Sequence, residues 1–365
     1  MTDFTSSLYL GLRHASGSLR PWARLTTGVP ATLHTPHMSF AIGARLAEMT
    51  GTERATLRRS TLHAFWDLFP ILRERNTAIY VDASAYPIAR WGIERVACRG
   101  TPMRIFRHHD AADLRRQMTR DAAAGLRPLV VADGLCTGCG RFAPIRHYLA
   151  QARSRGGMLV LDDTQAFGIF GRTPSVDHPY GVGGGGSLQA HSIADPNIIV
   201  VNSMAKGFGV PMAMVAGSAA RISAFERHSE TQVHSSPPSF ADLHAAESAL
   251  MVNRRAGDTI RSRLVMLIRC FRRQLHGTGI PMTHSLFPLQ CLHLGDDRRA
   301  AELHRRLRRM GIGAVLHRPG CQSGAAVSFI VTASHTPADI DRAARATICA
   351  LGINRPVIEQ RRACG

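Results

Sequence analysis

One side chain in this sequence can act as an amine nucleophile. Of the 45 Lys and Arg residues, only Lys206 is a lysine. Arginine stays protonated in proteins and is a poor nucleophile, so it supplies charge without amine chemistry. A lysine kept in such a background points to a reaction that needs a primary amine, most often Schiff-base formation with a carbonyl. Its setting agrees. Ser203-Met-Ala-Lys206-Gly207-Phe-Gly209 follows the apolar run Asn197–Ser203, and the glycines permit a tight turn beside a ligand. The rival reading, the Ser-x-x-Lys of serine β-lactamases, also needs Lys-Thr-Gly and Ser-Asp-Asn. A chain with one lysine already spent cannot supply the first, and the second is absent.

A second apolar run ends upstream in Leu161-Asp162-Asp163-Thr164-Gln165-Ala166-Phe167-Gly168. A carboxylate beneath a pyridine nitrogen keeps that nitrogen protonated and makes the ring an electron sink. Capping the next helix is the plainer use of such a pair. The isolated lysine at the following strand end tips the balance toward a cofactor, with the Ser203 hydroxyl offered to its phosphate.

Two other patterns carry less. Cys136-x-x-Cys139 has redox or zinc spacing, but a structural zinc site wants a second matching pair and the sequence has none, so no metal is expected. The eight cysteines, from Cys98 to Cys364, are too scattered for a disulfide framework. Gly181-Val-Gly183-Gly-Gly-Gly186 matches G-x-G-x-x-G by letter but follows no strand, and reads as a flexible loop that could cover a site.

The elements that position these groups alternate. Thr77–Asp82, Met103–His108, Leu129–Asp133, Met158–Asp163, Asn197–Ser203 and Met212–Ser218 read as strands. Residues 110–125 and 142–155 read as helices between them, and 241–276 as one long helix. Such alternation implies an α/β fold with a mostly parallel sheet and helices on both faces. Ligands then bind beyond the carboxyl ends of the strands, where Asp133, Asp162 and Ser203 fall. Beyond the long helix, strands near 288–294 and 326–332 and helices near 299–310 and 337–351 predict a smaller C-terminal α/β domain.

A length of 365 residues and an apolar fraction of 45% suit a globular chain of two domains. The net charge of +19 is spread along the chain as arginine, with no nucleic-acid-binding motif, so it reads as solvated surface. No run approaches the roughly 18–20 apolar residues of a membrane helix. With no leader pattern at residues 1–13, a cytoplasmic location with no membrane and no specific nucleic-acid partner is expected.

These segments, in this order, resemble the α-oxoamine synthase family of fold-type I pyridoxal-phosphate (PLP) enzymes over nearly the whole chain. Ser6-Ser7-Leu8-Tyr9-Leu10-Gly11-Leu12, Asp133-Gly134 to Gly140 with Ala143-Pro144-Ile145, and Thr332-Ala-Ser-His335-Thr336 carry the likeness beside the two segments above. The resemblance implies an aminotransferase-like large domain over 36–250, preceded by an arm over 1–35 and followed by a small domain over 251–365. It implies a PLP cofactor held as an internal aldimine on Lys206. By position, Asp162 pairs with the pyridine nitrogen and Tyr86 stands where a histidine stacks on the ring. Thr137 lies near the phenolic oxygen, while Ser203, Ser60 and Thr61 lie at the phosphate. A homodimer with Ser235-Ser236-Pro237-Pro238 directed at the partner's phosphate is also implied.

Three departures stand out. Gln165 replaces a histidine near the cofactor oxygen, and Ser60-Thr61-Leu62 lacks the glycine of a phosphate-binding turn. Ala325-Ala326-Val327-Ser328-Phe329 lacks the arginine that grips a substrate carboxylate, so either another arginine, Arg318, takes that task or the substrate has no free carboxylate there. The implied activity is condensation of an amino acid with an acyl thioester. An aminotransferase or other PLP enzyme on the same scaffold is the alternative, and a non-catalytic protein binding through its basic surface is a second.

Overall fold

The computed structural model describes residues 1–121 and 124–353. Cys364 and residues 122 and 123 of the expected 110–125 helix lie outside them. The strands are β1 (Thr2–Asp3), β2 (Arg54–Arg58), β3 (Thr77–Asp82), β4 (Met103–Phe106), β5 (Arg127–Asp133), β6 (Met158–Asp162), β7 (Ile198–Ser203), β8 (Ala213–Gly217), β9 (Leu289–His293), β10 (Ile312–Gly313), β11 (Val315–His317) and β12 (Ala326–Ile330). The helices are α1 (His37–Thr50), α2 (Thr61–Leu72), α3 (Pro87–Ala97), α4 (Ala111–Arg120), α5 (Ile145–Arg153), α6 (Ser187–Ala190), α7 (Ala219–His228), α8 (Glu230–His234), α9 (Phe240–Leu275), α10 (Asp297–Arg309) and α11 (Pro337–Ala350).

Seven strands form one sheet in the order β2-β8-β7-β6-β5-β3-β4. Five of them, β7 to β4 in that order, are parallel, and β8 runs against both of its neighbours. Every residue of β3 and β6 is buried, as a sheet covered by helices on both faces requires. Phe65, Leu68 and Phe69 of α2 and Ile93 of α3 pack on one face against Val131, Val160 and Val201. Leu114 of α4 and Tyr148 of α5 join the core on the other face, with Val130 and Leu161. Helices α2 and α3 lie close because Gly92 has no side chain. A Cβ there would fall 2.5 Å from the Phe65 carbonyl oxygen.

The smaller unit is the antiparallel sheet β11-β12-β9, backed by α10, with α11 packed on α10 and α9. Helix α9 has 36 residues, roughly 54 Å at 1.5 Å each. A Ser239–Asp242 capping box starts it, and it packs against both α1 and α11. The boundary expected at residue 250 therefore falls inside a continuous helix. The N-terminal segment is tied to the small unit. β1 pairs with β10, the Phe4 ring stacks on His335 at 4.2 Å, and Ala333 donates its N–H to the Tyr9 carbonyl.

The loop expected as a flexible cover is a packed element instead. Gly183 N–H donates to Asp258 at 2.9 Å, and Val182 and Arg172 form a bridge. A Cβ on Gly184 would fall 2.6 Å from Arg261 Nη1, and one on Gly185 would fall 2.0 Å from the Met49 carbonyl. Its glycines serve close packing under the buried Arg261.

Candidate active site

The carboxyl ends of β5, β6 and β7 lie side by side. Asp133 is in register with Asp162, and Asp162 with Val201. Ser203 is opposite Ala213, which is opposite Arg58. Strand alternation puts Asp133, Asp162, Ser203 and Arg58 on one face, the face that α2 and α3 cover. Ser60 and Thr61 follow β2 directly, so the N-terminus of α2 opens at the same edge. Ser60 caps that helix, its Oγ accepting from His63 N–H at 3.4 Å and lying 2.8 Å from His63 Nδ1. The remaining free N–H groups of the first turn form an anion-binding terminus.

Lys206 lies in the turn after β7. Its Nζ sits 5.7 Å from the centroid of the Tyr86 ring. Tyr86 precedes α3 and is 46% exposed, and its N–H donates to Asp133 Oδ1 at 3.0 Å. Burial holds the Lys206 amine below its ordinary pKa, against the pull of Asp162 and Asp133. Burial raises the Asp162 carboxyl, opposed by hydrogen bonds from Thr164, whose N–H donates at 3.1 Å, and by Lys206. Asp133 is raised well above the usual range by burial and then by the Asp162 charge. Two adjacent carboxylates that resist ionising, with one amine near enough to feel both, make an edge suited to a cationic ring and a carbonyl.

Lys206, Asp162, Tyr86, Ser203, Ser60 and Thr61 thus share one end of the sheet. Ser203 N–H donates to Thr164 Oγ1 at 3.0 Å, a contact to which no local sequence signal points. The sequence marks Asp133 only as a strand end, and its register with Asp162 adds it to the site. Gln165 is held from the side, its Oε1 accepting from the Tyr9 hydroxyl at 2.7 Å. Asp163 turns away and binds Ser187 through N–H (2.8 Å) and Oγ (2.5 Å) at the start of α6. Burial pushes its pKa up to about 7. Thr137 sits in the loop after β5, with its carbonyl 3.8 Å from Cys291 Sγ on β9, so the small unit faces this loop.

The arginine question resolves differently from expectation. Arg318 is an exposed residue paired with Asp297 at the surface. Ser328 is fully buried, with Oγ 2.7 Å from His317 Nε2 and 3.1 Å from Cys291 Sγ. Burial, and then the nearby His293, hold the His317 imidazole below its ordinary pKa. A hydrogen-bonded Ser328–His317–Cys291 group occupies the place where the resemblance implies a guanidinium.

The expectation that Cys136 and Cys139 stand without partners is also corrected. Cys321, from the loop before β12, and His108, just past β4, lie against them. Hydrogen bonding with Cys136 and Cys321 lowers the Cys139 pKa, although burial opposes this. No local spacing rule connects these four positions. A cavity of about 750 Å³ lies elsewhere, between α1, β2 and the 231–238 segment. Arg58, Arg59, His63, Ser235, Ser236 and Pro238 help to line it, and Lys206 does not.

A family model described as aminotransferase class I and II matches residues 36–346. The 8-amino-7-oxononanoate synthase of Pseudescherichia vulneris is 29% identical over 350 residues, covering 93% of this chain and 86% of that protein. That of Halorhodospira halophila is 29% identical over 377 residues, covering 98% and 88%. Among solved structures, serine palmitoyltransferase from Sphingomonas wittichii aligns with a TM-score of 0.82 at 19% identity, over 96% of this chain and 88% of its own. The enzyme from S. paucimobilis with a bound PLP–myriocin aldimine gives 0.82 at 20%, over 95% and 86%. The 8-amino-7-oxononanoate synthase of Francisella tularensis gives 0.74 at 19%, over 96% and 97%.

Proposed function

The chain belongs to the aminotransferase class I and II family, and from that premise we propose that it is a PLP-dependent acyltransferase of the α-oxoamine synthase type. It joins the α-carbon of an amino acid to the acyl group of a thioester. One observation carries the reading: the sole lysine stands at a strand end, its amine depressed by burial, beside a buried carboxylate and over an aromatic face.

The residues present fit the cofactor. Asp162 is 6% exposed and accepts from Thr164, and no guanidinium is paired with it among the described residues. A buried carboxylate so placed is strongly favoured by a cation, and a protonated pyridine nitrogen is one. Lys206 Nζ would hold the aldehyde carbon, Tyr86 the ring face, and Ser203 with the α2 terminus at Ser60 and Thr61 the phosphate. Thr137 and Gln165 would border the ring oxygen. When bound, PLP supplies an electron sink for the substrate α-carbon. The chain's own residues do the rest. Burial leaves Lys206 Nζ more often neutral, so it can accept the α-proton. Asp162 holds a compensating charge from a buried position. Cys291 reaches the Thr137 carbonyl, and the buried Ser328–His317 pair beside it supplies no guanidinium, which favours an amino substrate unlike those gripped by arginine.

The active form is a homodimer in a soluble compartment, with Ser235–Pro238 directed at the partner's site. Exposed Phe40, Leu62 and Trp66 support this, because they leave apolar surface on α1 and α2 for a second copy to cover. No described helix is long and apolar enough to cross a membrane.

The test is a visible spectrum with PLP, beside Lys206→Ala, followed by thiol release from acyl-CoAs with single amino acids. A borohydride-fixed adduct in the native chain and not in the variant, with amino-acid-dependent thiol release, supports the reading. The same adduct in both proteins, or no thiol release from any pair, refutes it.

A further inference from the structure

We propose that Cys136, Cys139, Cys321 and His108 form a Zn²⁺ site that fastens the small unit onto the large one beside Thr137. The ligand atoms of the four residues all lie within 4.8 Å of one another. A tetrahedral centre with Zn–S near 2.3 Å and Zn–N near 2.1 Å sets nitrogen and sulfur roughly 3.6 Å apart. His108 Nε2 and Cys139 Sγ are 3.6 Å apart. Three thiolates and one imidazole are a standard donor set for closed structural zinc, and soft sulfur selects against magnesium and calcium.

The surroundings are those of a ligand shell. Metal-bound histidines usually give their other ring N–H to a carboxylate, which fixes the tautomer. His108 Nδ1 lies 2.7 Å from Asp82 Oδ1, leaving Nε2 toward the sulfurs. Asp82 is itself held, accepting from Ser84 N–H (2.8 Å) and His109 N–H (3.0 Å). The Cys136–Cys139 segment is a tight turn, with Gly140 N–H donating to the Cys136 carbonyl at 2.8 Å and Gly140 at φ +67°. Gly138 admits the fourth segment, since a Cβ there would lie 2.5 Å from Cys321 Sγ.

Binding releases the protons of the thiols that coordinate and moves no electrons. Its consequence is mechanical. Cys136 and Cys139 bracket Thr137, and Cys321 comes from the loop between β11 and β12. One ion therefore ties the segments after β4 and β5 to the small unit. The inference does not rest on the cofactor reading.

The full chain, purified without a histidine tag under reducing conditions, is analysed for metal, then stripped and titrated with Co²⁺. About one zinc per chain is expected, with cobalt giving thiolate charge-transfer absorption near the intensity of tetrahedral sulfur sites. Cys321→Ser and Cys136→Ser should lose that absorption and zinc content, while Cys291→Ser, a neighbour outside the four, keeps both. Asp82→Asn should weaken cobalt affinity by about 10- to 100-fold. Far-UV circular dichroism identifies any variant that fails to fold, in which case Asp82→Asn decides. A reduced native chain that takes up no cobalt overturns the proposal. So does a Cys321→Ser protein that binds as well as native, or a cysteine pair that proves to be a disulfide and gives no metal uptake once reduced.

Discussion

Replacing Asp162 by Asn separates catalysis from stability. The amide keeps the shape and the 3.1 Å contact with Thr164 N–H, and it removes the charge. With PLP bound, the ring nitrogen loses its buried partner. Breaking a buried charge pair costs about 3–5 kcal/mol, and at 1.36 kcal/mol per tenfold this is a loss of about 150- to 5,000-fold in kcat/KM. Without cofactor the sign inverts. Burial raises the Asp162 pKa, so the folded chain binds its proton more tightly than the unfolded chain, and ionisation above the ordinary carboxylate range weighs against folding. The cofactor-free variant should therefore unfold at the same or a higher temperature than native at pH 7.5. The assay is thiol release from acyl-CoA at saturating PLP, beside thermal unfolding of the cofactor-free proteins. Asp133→Asn is the control, because Asp133 is in register with Asp162 on the same face. Activity of Asp162→Asn within about tenfold of native, or a heavier loss in Asp133→Asn, would refute the assignment.

Tyr86→Phe should retain PLP like the native chain, since the ring face over Lys206 remains. Tyr86→Ala should weaken retention by the equivalent of about 0.5–2 kcal/mol, read by fluorescence titration. Arg261→Met should destabilise the fold by about 1–3 kcal/mol, seen as a lower urea midpoint. It strips partners from Asp258, Asn253 and the Gly168 carbonyl, which Arg261 binds at 2.7–2.9 Å. An unchanged midpoint would mean the glycine loop is not held from α9. Asp163 has a folded pKa raised to about 7 from 3.8 by burial. Its contribution to stability is greatest below 3.8 and is lost as pH rises through about 7, so Asp163→Asn should flatten the fall in melting temperature between about pH 4 and 7. Tyr9→Phe leaves Gln165 Oε1 without its donor and should cost about 1–3 kcal/mol, checked in the same denaturant series.

How much is legible depends on how local the signal is. The parallel strands stand out as unbroken apolar runs, because strands covered on both faces must be apolar throughout. The run Met103–His108 is too long at its C-terminal end, since the polar Arg107–His109 segment leaves the sheet after Phe106 and places His108 against Asp82. β2 and helices α1 to α3 escape the apolar pattern, although α2 and α3 build the covering face of the site. The glycine run reads as a mobile cover because glycine signals freedom in sequence, whereas here it permits backbone to pack against Met49 and Arg261.

The sequence by itself determined the chemistry at one point. A single amine in an arginine background, followed by glycines and preceded by an acidic strand end, names its own use, because residue type and nearest neighbours suffice. The tertiary structure alone decided what depends on contact between distant segments. It set Asp133 beside Asp162, bound Gln165 to Tyr9, put Arg318 on the surface with Asp297, and left Ser328 between His317 and Cys291. It also gathered Cys136, Cys139, Cys321 and His108 into one cluster. Such pairings are fixed by sheet register and by how the two units close over the strand ends, and neither leaves a periodic trace in the chain.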